Sequence, residues 1–567
     1  MKDARPDSGF AAEEILGRLK ASGIDVLLAN GGTDFPSIIE ALAGQAESGI
    51  EMPEALVVTH EGVALGMAHG YYLASGKPAA VMVHVNVGLA NAVMGLINAA
   101  SDRIPVLMLS GRTPLTEAGR FGSRNSPIHW GQEMRDQAAM IREVVKWDYE
   151  LRYPEQGVLA VDRALSVAQS EPKGPVYLSL PREVLAEAAP AGGRAAAPPP
   201  APVAYGAPPP DLVAEAARIL AQAERPVIIT QGIDVRGFEP LAGLAERWAL
   251  PVVEYWSTRQ ALPTSHPMHG GREPTDWVKD ADAILTVDAM VPWITDHVQP
   301  PEGCRVIALG PDPSFRAAPM RSFPADLTLA GGTLAGLQAL DAAMGEPPAE
   351  RTDALAARRE RVSALRDDRV VDAVKRAEAG SGTPMSPAWV GRCLNEAAGP
   401  EAIYFNELGI DPTVMQFDEP GTFFSSPLSG GLGWGLPAAM GAALADRSRT
   451  VIACVGDGSY MFANPVACHQ TCAAHGLPVL TVVFNNGIWN AVRRSTLYMY
   501  PDGKAAAANV MPITALEGGT DHAAIARAHG AHAERVSDGA DLPAAIGRAL
   551  AATKAGQQAL LEVMVSY

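Results

Sequence analysis

Residues 451–494, VIACVGDGSYMFANPVACHQTCAAHGLPVLTVVFNNGIWNAVRR, leave little freedom in how this part of the chain folds. An apolar run ends in the turn Gly456-Asp457-Gly458-Ser459, a helical stretch follows, and a second apolar run from Val479 to Phe484 ends on Asn485-Asn486. This pattern predicts a strand–helix–strand unit with parallel strands and a right-handed crossover. Asp457 and Asn486 then emerge at one sheet edge, where open α/β sheets bind ligands. A carboxylate, an amide oxygen and a nearby backbone carbonyl are the hard oxygen ligands that Mg2+ prefers, leaving positions for water and phosphate oxygens. The glycines let backbone N–H groups approach a phosphate at the helix start, where the dipole favours negative charge.

The stretch resembles the Gly-Asp-Gly…Asn-Asn signature of thiamine-diphosphate enzymes, with 26 residues, 459 to 484, between its halves. That resemblance implies that Asp457, Asn486 and the carbonyl of Ile488 hold Mg2+, with Gly458 and Ser459 at the diphosphate. It also implies a glutamate that bonds the cofactor's pyrimidine N1′ and thereby promotes loss of the thiazolium C2 proton. Glu61 fits, in an apolar run that ends Thr59-His60-Glu61 before a small-residue helix, where a carboxyl is expected to be partly buried. The plainer alternative is a helix-start glutamate paired with the dipole.

Further segments extend the resemblance over most of the chain, to the acetolactate synthase, pyruvate decarboxylase and benzoylformate decarboxylase superfamily. In local detail the chain is most similar to the benzoylformate decarboxylase family. That family's His-x-x-x-Gly-x-x-Asn-Ala is met by His84, Gly88, Asn91 and Ala92, its Val-Lys-Trp-x-Tyr-Glu by residues 145–150, and its Gly-Pro-Val-Tyr-Leu-Ser by residues 174–179. Its Ser-Gly-Gly-Leu-Gly is met by Ser429 to Gly433. The match implies that Leu432 holds the two cofactor rings in a V and that the Gly430 carbonyl accepts from the 4′-amino group. The implied fold is three doubly wound parallel-sheet α/β domains: pyrimidine-binding, middle and diphosphate-binding.

Departures concern the substrate. The family's second active-site histidine has no match in Val287–Ile294, although His297 is close, and its active-site serine becomes Thr33. An insert, residues 122–133, ends in Gln132-Glu133, which is similar to the Phe-Gln-Glu segment of acetolactate synthases, where the glutamine lies in the active site. No segment matches the arginine-rich flavin stretch of those synthases, so bound FAD is not expected. His84 is expected to move protons near neutral pH. Arg493 and Arg494, on the helix after the metal loop, suit either a substrate anion or a surface ion pair.

The implied activity is decarboxylation of a 2-oxo acid, with thiamine diphosphate and Mg2+, yielding an aldehyde or a product ligated to a second carbonyl compound. An acetolactate-synthase-like carboligase and a 2-hydroxyacyl lyase are the alternatives within the class. A cofactor-binding paralogue without catalysis is opposed by the intact Glu61, Asp457 and Asn486. In this superfamily the glutamate domain of one subunit faces the metal domain of another. A homotetramer, a dimer of dimers with shared sites, is therefore expected, with the small-residue helices 62–76 and 431–444 at the interface.

Composition sets the remaining bounds. The 567 residues suit three or four domains. A formal net charge of −18 gives no electrostatic case for nucleic acid or membrane binding. No signal peptide or apolar span is evident, and five cysteines make no disulfide framework, so a cytoplasmic enzyme is expected. The Pro/Ala tract of residues 188–210 separates domain one (1–187) from the middle domain (211–345), and a charged helical connector (346–385) leads to the third domain (386–567). Cys468, His469 and Cys472 share a helix and read as buried packing residues rather than a zinc cluster. His60 and His69 read as structural.

Overall fold

The computed structural model describes residues 9–189 and 198–566. The short Val/Ile/Leu-rich runs form 17 strands in three wholly parallel sheets, covered by helices. The first sheet contains β1 (Val26–Ala29), β2 (Glu54–Val57), β3 (Ala80–Val83), β4 (Leu107–Arg112), β5 (Asp148–Glu150) and β6 (Val176–Pro181), in the spatial order β2-β1-β3-β4-β6-β5. The second contains β7 (Pro226–Thr230), β8 (Val252–Glu254), β9 (Ala283–Val287), β10 (Arg305–Gly310) and β11 (Leu327–Ala330), ordered β11-β10-β9-β7-β8. The third contains β12 (Ile403–Glu407), β13 (Phe423–Ser425), β14 (Val451–Gly456), β15 (Val479–Asn485), β16 (His532–Val536) and β17 (Ala559–Met564), ordered β13-β12-β14-β15-β17-β16.

The first and third sheets thus share one winding, strand for strand. In each, the direction of addition reverses beside the first strand, which opens a crevice at the strands' carboxyl ends. Seven helices matter for the site: α1 (Glu61–Ser75), α2 (Val85–Ser101), α3 (Thr352–Ala379), α4 (Gly435–Ala445), α5 (Asp457–Phe462), α6 (Pro465–His475) and α7 (Asn490–Met499). Helix α3 supplies the expected charged connector. The tract expected to lack regular structure lies partly outside the described residues, and residues 198–209 carry neither helix nor strand.

The small-residue helices do something other than expected. Every residue from Val63 to Tyr72 on α1 and from Gly435 to Leu444 on α4 is buried. The two helices pack against each other within one chain, and a methyl group at Gly70 would overlap the Ala438 carbonyl, as one at Gly441 would overlap that of Met67. Their apolar surface is spent joining the first and third domains into one continuous core, so it is not free to form a subunit interface. Small residues are required because two backbones touch, a requirement that composition does not assign to one chain or two.

The middle domain keeps a core of its own and is tied in through polar contacts. Asp102, after α2, accepts from His69 Nε2 at 3.0 Å and from the Thr258 hydroxyl at 2.9 Å, and pairs with Arg259 at 3.3 Å. This is the structural role expected of His69. Among the described residues no helix is long and apolar enough to cross a membrane.

Candidate active site

The third sheet brings Asp457 and Asn486 together as the strand–helix–strand reading requires. Gly456 at the end of β14 pairs with Phe484 on β15, so the two loops leave the sheet side by side. Asp457 is 4% exposed, and its carboxylate accepts from the N–H of Gly458 at 2.8 Å and of Gly487 at 2.7 Å. Burial raises the carboxyl's affinity for its proton, against the pull of those donors. Among the described residues no lysine or arginine forms an ion pair with it.

Asn486 Oδ1 accepts from Ile488 N–H at 3.0 Å, and the Ile488 carbonyl accepts from Asn490 N–H at 2.9 Å. Each of these oxygens keeps a lone pair for a further partner. A buried carboxylate with no lysine or arginine paired to it among the described residues, beside an amide oxygen and a backbone carbonyl, is a donor set that fits Mg2+. Gly458 and Ser459 lie buried in the first turn of α5, with the Trp489 ring against Gly458. Gly430, exposed and with a φ of +66°, and half-buried Leu432 lie on the irregular segment between β13 and α4.

At the first sheet, Glu61 opens α1 and is half-buried. Its Oε2 accepts from Asn91 Nδ2 at 2.6 Å, and His60 caps the same helix by accepting from Gly62 N–H at 3.1 Å. His84 precedes α2, and its Nδ1 lies 2.5 Å from Asp34 Oδ1. The other oxygen of Asp34 accepts from Val85 N–H at 3.1 Å. On the far side of the ring, Gln132 Nε2 is 3.0 Å from His84 Nε2.

Asp34, only 3% exposed, is a residue that the sequence reading missed while naming its neighbour Thr33. Thr33 itself is exposed, and its carbonyl accepts from Arg182, which also donates to the carbonyls of Gly122 and Ser123 and so pins the insert to this loop. The Asp34–His84 pair has space reserved for it: a methyl group at Gly111 would overlap the Asp34 carboxylate, and one at Gly32 the His84 ring. A carboxylate beside two glycines at the end of β1 was the available signal.

Asp34's hydrogen bond raises the pKa of His84 above 6.5, with burial opposing it. The ring therefore keeps its second proton to a higher pH than free histidine. Asp34→Asn removes the charge and leaves burial to dominate, so the midpoint of the His84 titration followed by NMR should move to lower pH. An unchanged midpoint would show that Asp34 does not set the proton affinity.

The remaining sequence-selected residues separate from these clusters. His129 is buried, its Nδ1 accepting from Asn125 N–H at 3.2 Å, one helical turn before Gln132. His297 and Arg494 are exposed, and Arg493 donates to Asn509 Oδ1 at 3.2 Å. Cys468 donates to the Ala463 carbonyl, and His469 bridges Tyr460 and Gln558, as packing residues do.

The comparisons with known proteins agree with this layout. Family models described as the N-terminal TPP binding domain, central domain and C-terminal TPP binding domain of thiamine pyrophosphate enzymes match residues 11–140, 213–340 and 411–563. The chain belongs to the thiamine pyrophosphate enzyme family. It is 29% identical over 520 residues to a benzoylformate decarboxylase of Pseudomonas aeruginosa, covering 87% of this chain and 89% of that one. It is 26% identical over 568 residues to an acetolactate synthase large subunit of Mycobacterium tuberculosis, covering 95% and 93%. Among solved structures, a thiamine diphosphate-dependent 4-hydroxybenzoylformate decarboxylase of Rhodococcus jostii RHA1 superposes with a TM-score of 0.78 at 23% identity, covering 99% of both chains. That likeness establishes the fold. The relatives establish an enzyme of this superfamily.

Proposed function

We propose that this enzyme decarboxylates a 2-oxo acid, using thiamine diphosphate held through Mg2+. The observation that carries the reading is the His84 ring, whose proton affinity Asp34 raises and which Gln132 faces, on the sheet edge that also carries Glu61. The bound cofactor supplies a carbon nucleophile and an electron sink. In this reading Asp457, Asn486 and the Ile488 carbonyl hold the metal, Gly458 and Ser459 receive the diphosphate, and Gly430 and Leu432 seat the rings. Glu61 holds the pyrimidine N1′. His84 binds the substrate carboxylate and returns a proton to the product. The likeness to benzoylformate decarboxylase favours an aryl-substituted oxo acid. Gln132 on the His84 ring favours a second outcome, ligation to another carbonyl compound.

Two observations support a site shared between chains. Helix α2 holds Glu61 through Asn91 but the 429–431 segment through Asn98, whose amide donates to the Gly431 carbonyl at 2.8 Å. Those contacts lie seven residues apart, about 10 Å along the helix, so one chain separates the two ends of the cradle. In addition α7 has no buried residue, and Val492, Tyr498, Met499 and Ile513 are exposed beside the metal loop, as a face covered by a second copy would be. Such pairs commonly assemble as a dimer of dimers. Five free cysteines, four of them buried, suit a cytoplasmic setting.

Supplying benzoylformate, pyruvate and branched-chain oxo acids to the protein with cofactor and Mg2+ should release CO2 from at least one, most rapidly from an aryl acid. Absence of CO2 across the aryl and alkyl acids would overturn the decarboxylase reading.

A further inference from the structure

Beneath the segment carrying Gly430 and Leu432 lies a carboxylate with no access to solvent. Glu407 ends β12 and is fully buried. Its Oε1 accepts from Gly433 N–H and its Oε2 from Gly435 N–H, both at 2.6 Å. One side chain therefore fixes the start of α4 to the end of β12, where Glu407 pairs with Val455 of β14 just before α5. Among the described residues no lysine or arginine pairs with it. Burial raises its pKa to about 7 despite these donors. A buried ionisable group is expensive to keep where an apolar one would fill the same space, unless its hydrogen bonds have a purpose.

The segment 426–434 has no helix or strand to fix it, and Gly430 and Gly433 both have positive φ. Its shape depends on what its N–H groups find. Bonds from backbone N–H to a carboxylate are short and strong, and two converging on one side chain set both position and orientation.

We propose that Glu407 is a positioning residue for the cofactor: it fixes the backbone of residues 433–435 on β12, beside Val455 of β14, setting the distance from Leu432 and Gly430 to the diphosphate turn. This rests on reading 430–433 and 457–459 as two ends of one cradle.

Glu407→Gln keeps the size but turns an amide NH2 toward one of the two N–H donors. Calorimetry with thiamine diphosphate and Mg2+ should show a Kd raised at least ~10-fold, the worth of one buried charge-assisted hydrogen bond. The melting midpoint of the cofactor-free protein should move by less than ~1 °C, because in a chain of several hundred residues the midpoint shifts little for a given loss. Leu432→Ala tests the underlying reading separately. If it leaves the Kd unchanged, the cradle assignment fails; if it weakens binding while Glu407→Gln does not, the positioning role fails. Equal losses of stability and binding in Glu407→Gln would make Glu407 an ordinary core residue and overturn the proposal. Hydrogen exchange on the wild-type protein needs no variant to fold: the amides of residues 433–435 should exchange far more slowly than those of 428–430, with and without cofactor. Rapid exchange there would also overturn it.

Discussion

Asp457→Ala yields a folded protein that no longer binds thiamine diphosphate at millimolar concentration in the presence of Mg2+. The expectation follows from what surrounds this carboxylate: two backbone N–H groups, a neighbouring amide oxygen and carbonyl, and no basic side chain paired with it among the described residues. On the proposed reading a divalent cation is the counterion of this carboxylate, and the diphosphate is held chiefly through that cation. Losing it removes several kcal/mol of charge stabilisation, at least ~1000-fold in Kd. Calorimetry measures the effect directly, and a chelator should reproduce it in the wild-type protein. Affinity within a few-fold of wild type in Asp457→Ala would move the metal elsewhere.

The second large effect belongs to Glu61. Glu61→Gln should bind the cofactor and turn over at least ~100-fold more slowly, the usual scale for a lost proton-transfer group. Glutamine still accepts the bond from Asn91 but offers no proton for N1′. NMR of deuterium exchange at the cofactor C2 isolates the step from substrate binding, and exchange at the wild-type rate would reduce Glu61 to a structural role. Mixing the Glu61→Gln and Asp457→Ala chains extends the test to assembly. If the site is shared, verified subunit exchange restores activity to sites that receive both intact residues, and an inactive mixture contradicts sharing.

The elements on which these expectations rest differ in how plainly the chain displayed them. The β14–β15 unit was legible because two apolar runs end on polar residues whose spacing admits one crossover, and the Asp457–Gly487 contact follows from that topology. In the middle domain the Val/Ile-rich runs 226–230, 251–254, 283–287 and 305–309 read as strands, and they form β7 to β10, since buried parallel strands are short and β-branched. Asp34 was not legible as the partner of His84, because 50 residues separate them and only the β1–β3 pairing brings the two loops together. Glu407 showed a weaker signal, a charge at the end of Ile403-Tyr-Phe-Asn-Glu407, where a buried strand should stay apolar. The helices α1 and α4 carried a correct requirement, close approach, without its address. Glycine and alanine stripes declare that something must touch them, and three-dimensional neighbours decide what.

That contact has a mechanical consequence. With backbone against backbone at Gly70 and Gly441, α1 and α4 have no side-chain cushion over which to slide. The first and third sheets of one chain therefore travel as a single plank, with no hinge between them. Relative movement is left to the middle domain, which keeps a core of its own and meets the other two through polar contacts. On the proposed reading Glu61 and Asp457 both ride on the plank, so their spacing within one chain holds while the middle domain moves.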